Sequence, residues 1–252
     1  MQSNLLPALT LSLAAGLSTV LGGAAAVLVR RPGRRLLAAA LGFSGGMMLT
    51  VSLGELIPQA AGTLLARFPR SAAAAALTAA CVAGMLSASL LDVLLPEGAD
   101  GEQGDLRRLG IFSALAMLMH NLPEGIAVFM SASNDLRMGM AMALAIALHN
   151  IPEGILVAMP VLSATGSRGA ALGLAALSGL AEPAGALLAW AVLRPVLNET
   201  GLALLYAAIA GLMAYLVFAE LLPAAQSRRR PGWALAGTLG GVAVTVMSLG
   251  LL

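Results

Sequence analysis

With 252 residues, 59% of them hydrophobic, and a mean hydropathy of +0.91, the chain is too apolar for a soluble domain and reads as a polytopic membrane protein. A formal charge of +2 gives no basic surface of the kind nucleic acid needs. One cysteine, Cys81, excludes an intrachain disulfide and a thiolate cluster, and all 14 cationic side chains are arginines.

A membrane-crossing helix needs about 20 apolar residues. In chain order the apolar runs cover 5–29, 36–65, 72–95, 109–132, 138–162, 169–193, 202–225 and 232–252. The expected fold is all-α, a polytopic bundle of about eight transmembrane helices, with residues 1–252 as one transmembrane domain. The first run is expected to be a retained helix, because residues 1–4 carry no positive charge and the run is longer than a signal-peptide core. The joints are short and carry turn or charge signals, as in Arg67-Phe68-Pro69-Arg70, Ser133-Asn134-Asp135 and Arg229-Arg230-Pro231-Gly232. The stretch 97–108 is acidic and glycine-rich and reads as a solvated flexible connector.

Arginine counts set the expected orientation. Joints after the first, third, fifth and seventh runs hold ten: Arg30, Arg31, Arg34, Arg35, Arg107, Arg108, Arg168, Arg228, Arg229 and Arg230. The other side holds four: Arg67, Arg70, Arg137 and Arg194. The positive-inside rule puts the first set in the cytoplasm and both termini outside.

The chemistry concentrates in residues 119–154. His120-Asn121-Leu122-Pro123-Glu124-Gly125 is answered by His149-Asn150-Ile151-Pro152-Glu153-Gly154, and these two histidines are the only ones in the chain. A charge at the centre of a membrane helix costs about 2.5–3.5 kcal/mol even on the lenient insertion scale, and a bound cation is the simplest compensation. On a helix, His120 and Glu124 are i, i+4, while Asn121 and Glu124 are i, i+3, so each pair shares a face. The second copy repeats the arrangement. Pro123 and Pro152 lack an N–H, which frees the carbonyls of Met119 and Leu148 and predicts kinked or broken helices at the site.

Three further glutamates lie within apolar runs: Glu55, Glu182 and Glu220. Glu182 precedes Pro183, where a local kink is expected. Glu55-Leu56-Ile57-Pro58 echoes Glu220-Leu221-Leu222-Pro223, and Asp92-Val93-Leu94-Leu95-Pro96 is a looser version. Such an echo is what an inverted 3+2+3 arrangement, spans one to three repeated as six to eight, would leave. Glu55 and Glu220 lie nearer helix ends, where a transport-path or gating role competes with plain capping against water. Small residues, Gly42, Gly45, Gly46, Gly173, Ser178, Gly179, Gly237, Gly240 and Gly241, are expected to let backbones approach. Most methionines are expected to be filler.

The paired motifs resemble those of the ZIP family of divalent metal transporters, and the His-Asn opening of both copies resembles its bacterial ZupT-type branch. The resemblance runs over the whole chain. It implies an importer of divalent transition-metal cations with a binuclear intramembrane site. One metal would take His120, Glu124, His149 and Glu153; its neighbour would take Asn121, Asn150 and Glu182, with both motif glutamates bridging. Met48 lies in a context similar to the family's second helix, near its metal path. Nitrogen and oxygen donors suit zinc, iron, manganese, cobalt and cadmium alike. The metal would be transported substrate rather than resident cofactor. The resemblance further implies the inner or plasma membrane, both termini outside, and a homodimer, with metal ions and the lipid bilayer as partners and no nucleic acid. Two other classes stay open: an intramembrane metalloenzyme, against which stands the lack of a His-Glu-x-x-His motif, and an exporter or metal sensor, the latter disfavoured by the lack of a histidine-rich loop.

Overall fold

A computed structural model describes residues 4–29, 32–96, 101–193 and 198–249. Among the described residues there are eight helices and no strand: α1 (Leu5–Leu28), α2 (Arg34–Leu65), α3 (Arg70–Leu94), α4 (Glu102–Asn134), α5 (Leu136–Thr165), α6 (Arg168–Leu193), α7 (Glu199–Ser227) and α8 (Pro231–Leu249). The first seven are long and apolar enough to cross a membrane; α8, with 19 residues, is the shortest. The chain is therefore an all-α membrane bundle. Of the charged residues in the joints, Arg30, Arg31, Glu97, Asp100 and Arg194 lie outside the described residues.

Local sequence explains the tight joints. Asp135 alone separates α4 from α5, and its carboxylate accepts the amides of Arg137 at 2.8 Å and Met138 at 3.4 Å, capping α5. Ser167 accepts from the Ala170 amide at 3.2 Å to start α6, and Asn198 from the Gly201 amide at 2.9 Å to start α7. Gly166 ends α5 with φ 67°, a left-handed conformation a side chain would resist.

Two expectations need correction. The helices carrying the doubled motif are not broken: α4 and α5 run helical through Pro123 and Pro152. A proline removes one ladder bond, and close neighbours on several sides hold the flanking turns in place. Widened π-type turns fall elsewhere, at Ser52–Leu56 in α2, Ala189–Leu193 in α6 and Leu216–Leu221 in α7. In α2 and α7 the wide turn lies just before Pro58 and Pro223, where widening relieves the clash of the ring with the preceding turn. Secondly, residues 102–108 are no flexible connector. They form the first turns of α4, which at 33 residues is about 50 Å long, well beyond the hydrocarbon thickness.

Packing divides the helices into two groups. One comprises α1, α4, α5 and α6; the other comprises α2, α3, α7 and α8; contact between the groups is thinner than within either. Glycine makes both groups tight. A Cβ at Gly42, Gly46, Gly237 or Gly241 would meet the backbone of the facing helix, so α2 and α8 interlock over two turns. In the first group Gly16 of α1 and Gly179 of α6 abut reciprocally. The apolar core is correspondingly rich in alanine.

Candidate functional site

Both copies of the motif face inward within the first group. His120, Asn121 and Asn150 are fully buried, as is Glu182, while Glu153 and Glu124 are 2% and 4% exposed. The motif glycines make this possible. Gly125 lies against the Glu182 backbone of α6, and Gly154 against the Thr19 backbone of α1, with no room for a Cβ at either. Each closing glycine thus brings a neighbouring helix into the shell around the glutamate that precedes it.

The side chains converge. Glu124 Oε1 lies 3.1 Å from His120 Nε2 and 3.1 Å from His149 Nε2, while Glu153 Oε1 lies 3.4 Å from His120 Nε2. One ligand atom from each of His120, Glu124 and His149 fits within a 4.8 Å span. These separations suit a shared cation. Two ligands at about 2.1 Å from a metal are about 3.0 Å apart in an octahedron and about 3.4 Å apart in a tetrahedron.

The asparagines are oriented by backbone. Asn121 donates its amide to the Ser178 carbonyl at 3.2 Å, and Asn150 donates to the Ala15 carbonyl at 3.1 Å and to the Glu182 carboxylate. A carbonyl only accepts, so both amide flips are fixed and both Oδ1 atoms are left to face other partners. Around them, five buried oxygens have no hydrogen-bond partner within the protein: Oδ1 of Asn121 and Asn150, and Oε2 of Glu124, Glu153 and Glu182. A buried, unpaired polar atom costs about 1–3 kcal/mol, more when charged, so five in one place call for a ligand. Both ring nitrogens of His120 are likewise without a hydrogen-bond partner, and a set of oxygen and imidazole donors suits a borderline cation.

Glu182 enters from α6 just beyond a break at Leu180, where Pro183 interrupts the helix into Arg168–Gly179 and Ala181–Leu188. The supporting polar contacts also come from neighbouring helices: Ser178 Oγ donates to the Ala114 carbonyl at 3.0 Å, and Ser44 Oγ of α2 to the Pro152 carbonyl at 3.2 Å.

Cavities connect the cluster to one end of the molecule. A cavity of about 640 Å³ opens between the two groups, lined by Gln59 and Thr63 of α2, Ser131 and Asn134 of α4, Met142 of α5 and Tyr206 of α7. Gln59, Met142 and Tyr206 continue into a neck of about 30 Å³ that also touches Glu55, Glu124 and His149. Beyond it a space of about 10 Å³ is lined by Met48, His149, Glu153 and Met213. A further cavity of about 100 Å³ holds Glu55 and His149 beside α8. His149, 12% exposed, therefore faces the approach while His120 lies behind it.

Glu55 and Met48 thus border the cluster, whereas Glu220 does not. Glu220 pairs with Arg108 at 3.2 Å, next to Asp92, at the other end of α7. Sequence reading missed Arg108 and Asp92 as a pair, since they are far from any motif and lie on different helices. It also missed Ala15 and Ser178, which act through main-chain carbonyls that no side-chain pattern marks.

Taken together, the bundle and its cluster define a polytopic membrane protein with a buried histidine–carboxylate centre suited to a divalent cation. The family pattern described as ZIP Zinc transporter matches residues 96–249, and the chain belongs to this family. It is similar over nearly its whole length to proteins named Zinc transporter ZupT. That of Chlorobium luteolum is 46% identical, with 99% of each chain covered. Those of Chlorobium phaeovibrioides and Lysinibacillus sphaericus are 45% and 42% identical, covering 99% and 100% of each chain. The family is one of transporters, so the protein is a transporter and not an enzyme.

Proposed function

We propose that the protein imports divalent transition-metal cations into the cytoplasm, zinc first among them and iron, manganese, cobalt and cadmium as further substrates. The name carried by its relatives supports zinc. The observation that carries the residue assignment is the set of five buried oxygens without partners around two histidines. The site is binuclear: His120, Glu124, His149 and Glu153 hold one ion, and Asn121, Asn150 and Glu182 join the bridging glutamates at the second. Glu55 and Met48 lie on the path, since both border cavities that reach His149.

The wide mouth faces outside and the arginine-rich end faces the cytoplasm, by the positive-inside rule. Both termini are then extracytoplasmic. Residues 1–252 act as one domain in the cell membrane, and the protein assembles as a homodimer. The inverted 3+2+3 repeat finds support in the pairings: α1 with α5 is matched by α6 with α4, and α2 with α8 by α7 with α3. The wide turns before Pro58 and Pro223 are related in the same way.

The test is metal uptake into vesicles holding the purified protein, with competing cations. Glu124→Ala and His149→Ala are expected to abolish zinc uptake while leaving the protein monodisperse. Undiminished uptake in both would remove the site.

A further inference from the structure

The two helix groups are held together unevenly at their two ends. At the mouth, the ion pair among the described residues is Arg67–Glu199, which joins α2 to α7 within one group. At the arginine-rich end, four ion pairs cross between the groups. Glu102 of α4 meets Arg34 of α2 at 2.9 Å and Arg228 of α7 at 2.7 Å. Arg108 of α4 meets Asp92 of α3 and, at 3.2 Å, Glu220 of α7.

The Arg108 set is the better built. One arm of its guanidinium donates to the Asp92 carboxylate and, at 2.9 Å, to the Asp92 carbonyl, while the other arm donates to Glu220. Tyr215 of α7 donates to the second Asp92 oxygen at 2.8 Å, which fixes the acceptor. The Tyr215 ring also packs across the boundary on Phe112 of α4, centroids 6.5 Å apart and tilted by 60°. Arg108, Asp92 and Glu220 side chains are 24%, 20% and 16% exposed; in the other set Arg228 is 6% exposed, but the Glu102 it shares with Arg34 is 46% and Arg34 62% exposed, where water weakens a pair. A forked guanidinium shared by two carboxylates on two helices is a strong, directional contact.

We propose that Arg108 is the interlock of the transport cycle: carried on a cluster-bearing helix, it pins that helix to Asp92 and Glu220 and keeps the arginine-rich end shut while the mouth is open. A passage that opens alternately at two ends needs a contact made in one state and broken in the other, and this one spans the thinner boundary at the end away from the mouth. Release of Arg108 would let the groups part there. The inference rests on the transporter reading above, and it adds a residue that touches no metal.

The experiment reads accessibility without metal, so that it stands apart from transport. In a Cys81→Ser background, one reporter cysteine is placed at Asn134 in the mouth. A second replaces Leu216, which is fully buried on α7 between Met213 beside the cluster and Glu220. With the native interlock, a water-soluble maleimide is expected to label the mouth reporter readily and the Leu216 reporter slowly. Arg108→Gln is expected to speed labelling at Leu216 at least tenfold and to slow it at Asn134, with Arg108→Lys in between. Zinc binding measured by calorimetry stays within about threefold in all variants, since the cluster is untouched. If Arg108→Gln does not fold, Glu220→Gln, which keeps volume and removes only charge, decides in the same way. Unchanged labelling at both reporters in a monodisperse variant overturns the interlock. Loss of zinc flux in the unmodified protein would overturn the transport reading, and the labelling result would be unaffected by it.

Discussion

The helix group α1, α4, α5, α6 and the group α2, α3, α7, α8 solve the same packing problem with different materials. Both bring backbones together through glycine, yet among the described residues the first gathers a cluster of fully or nearly fully buried ionisable groups, His120, Glu124, Glu153 and Glu182, whereas the second buries Arg228 alone to that degree among its charged residues. In the second, the facing surfaces of α2 and α8 interlock through Gly42, Gly46, Gly237 and Gly241. Apart from Glu55, which faces the cluster across the boundary, its charged residues lie toward the ends, as at Asp92, Glu199 and Glu220. The difference teaches where free energy is committed. In lipid a close-packed apolar pair is stabilised largely by dispersion, whereas the first group holds buried polar atoms without a partner in the protein.

That contrast can be broken most severely at the motif glycines. Gly125→Val is expected to force α6 off α4, because its side chain would enter the Glu182 backbone. Loss of monodisperse protein and of zinc uptake is expected; a well-behaved, active variant would mean the first group is looser than its geometry. Next in size is Asn150→Ala, which removes an oxygen of the cluster and the amide that steadies Glu182. Weakening of metal binding by about 10–100-fold is expected, as for other supporting groups around a metal. Titration calorimetry would check it, and a thermal melt should show a loss of about 1–3 kcal/mol from the buried Glu182 oxygen left without its partner.

Gly46→Ala probes the second group. It crowds the Thr238 backbone, and overpacking of this kind costs about 1–3 kcal/mol. The melting temperature should fall while the metal affinity of the remaining folded protein stays put; a drop in affinity instead would blur the division between groups. The smallest effect is expected at Arg67→Ala. Its pair with Glu199 is 43% and 73% exposed, so the loss should stay within about 1 kcal/mol in a thermal melt.

How much of this could be read from the chain follows the range of the interactions. The doubled six-residue motif needed only helical spacing to predict that histidine, asparagine and glutamate share a face, and the apolar runs predicted the helices. At the proline in its centre local chemistry predicts a kink or a break; the break does not occur at Pro123 or Pro152, where helices pressed on several sides stay continuous. The distortion appears at Pro58, Pro183 and Pro223 instead. Residues 102–108 misled for a related reason. Their composition is that of a connector, yet Arg34 and Arg228, remote in sequence, pair with Glu102 along the first turn of α4. Arg108 carried no local signal and Asp92 only the loose echo of the Glu-Leu-x-Pro stretches, because the partners of each are 16 to 123 positions away.

The taper of the passage has a consequence for which ions can travel it. The mouth, at about 640 Å³, admits a cation with its full coat of water. The neck and the space beside Glu153, at about 30 and 10 Å³, have room for little more than one or two water molecules. On the proposed route hydration would be shed in stages, with Glu55 and His149, which line the neck, placed to take over from departing waters. If the proposed route is taken, an ion that gives up water reluctantly, as Mg²⁺ does, would be disfavoured at the neck by its own solvation rather than by any lack of negative charge ahead of it.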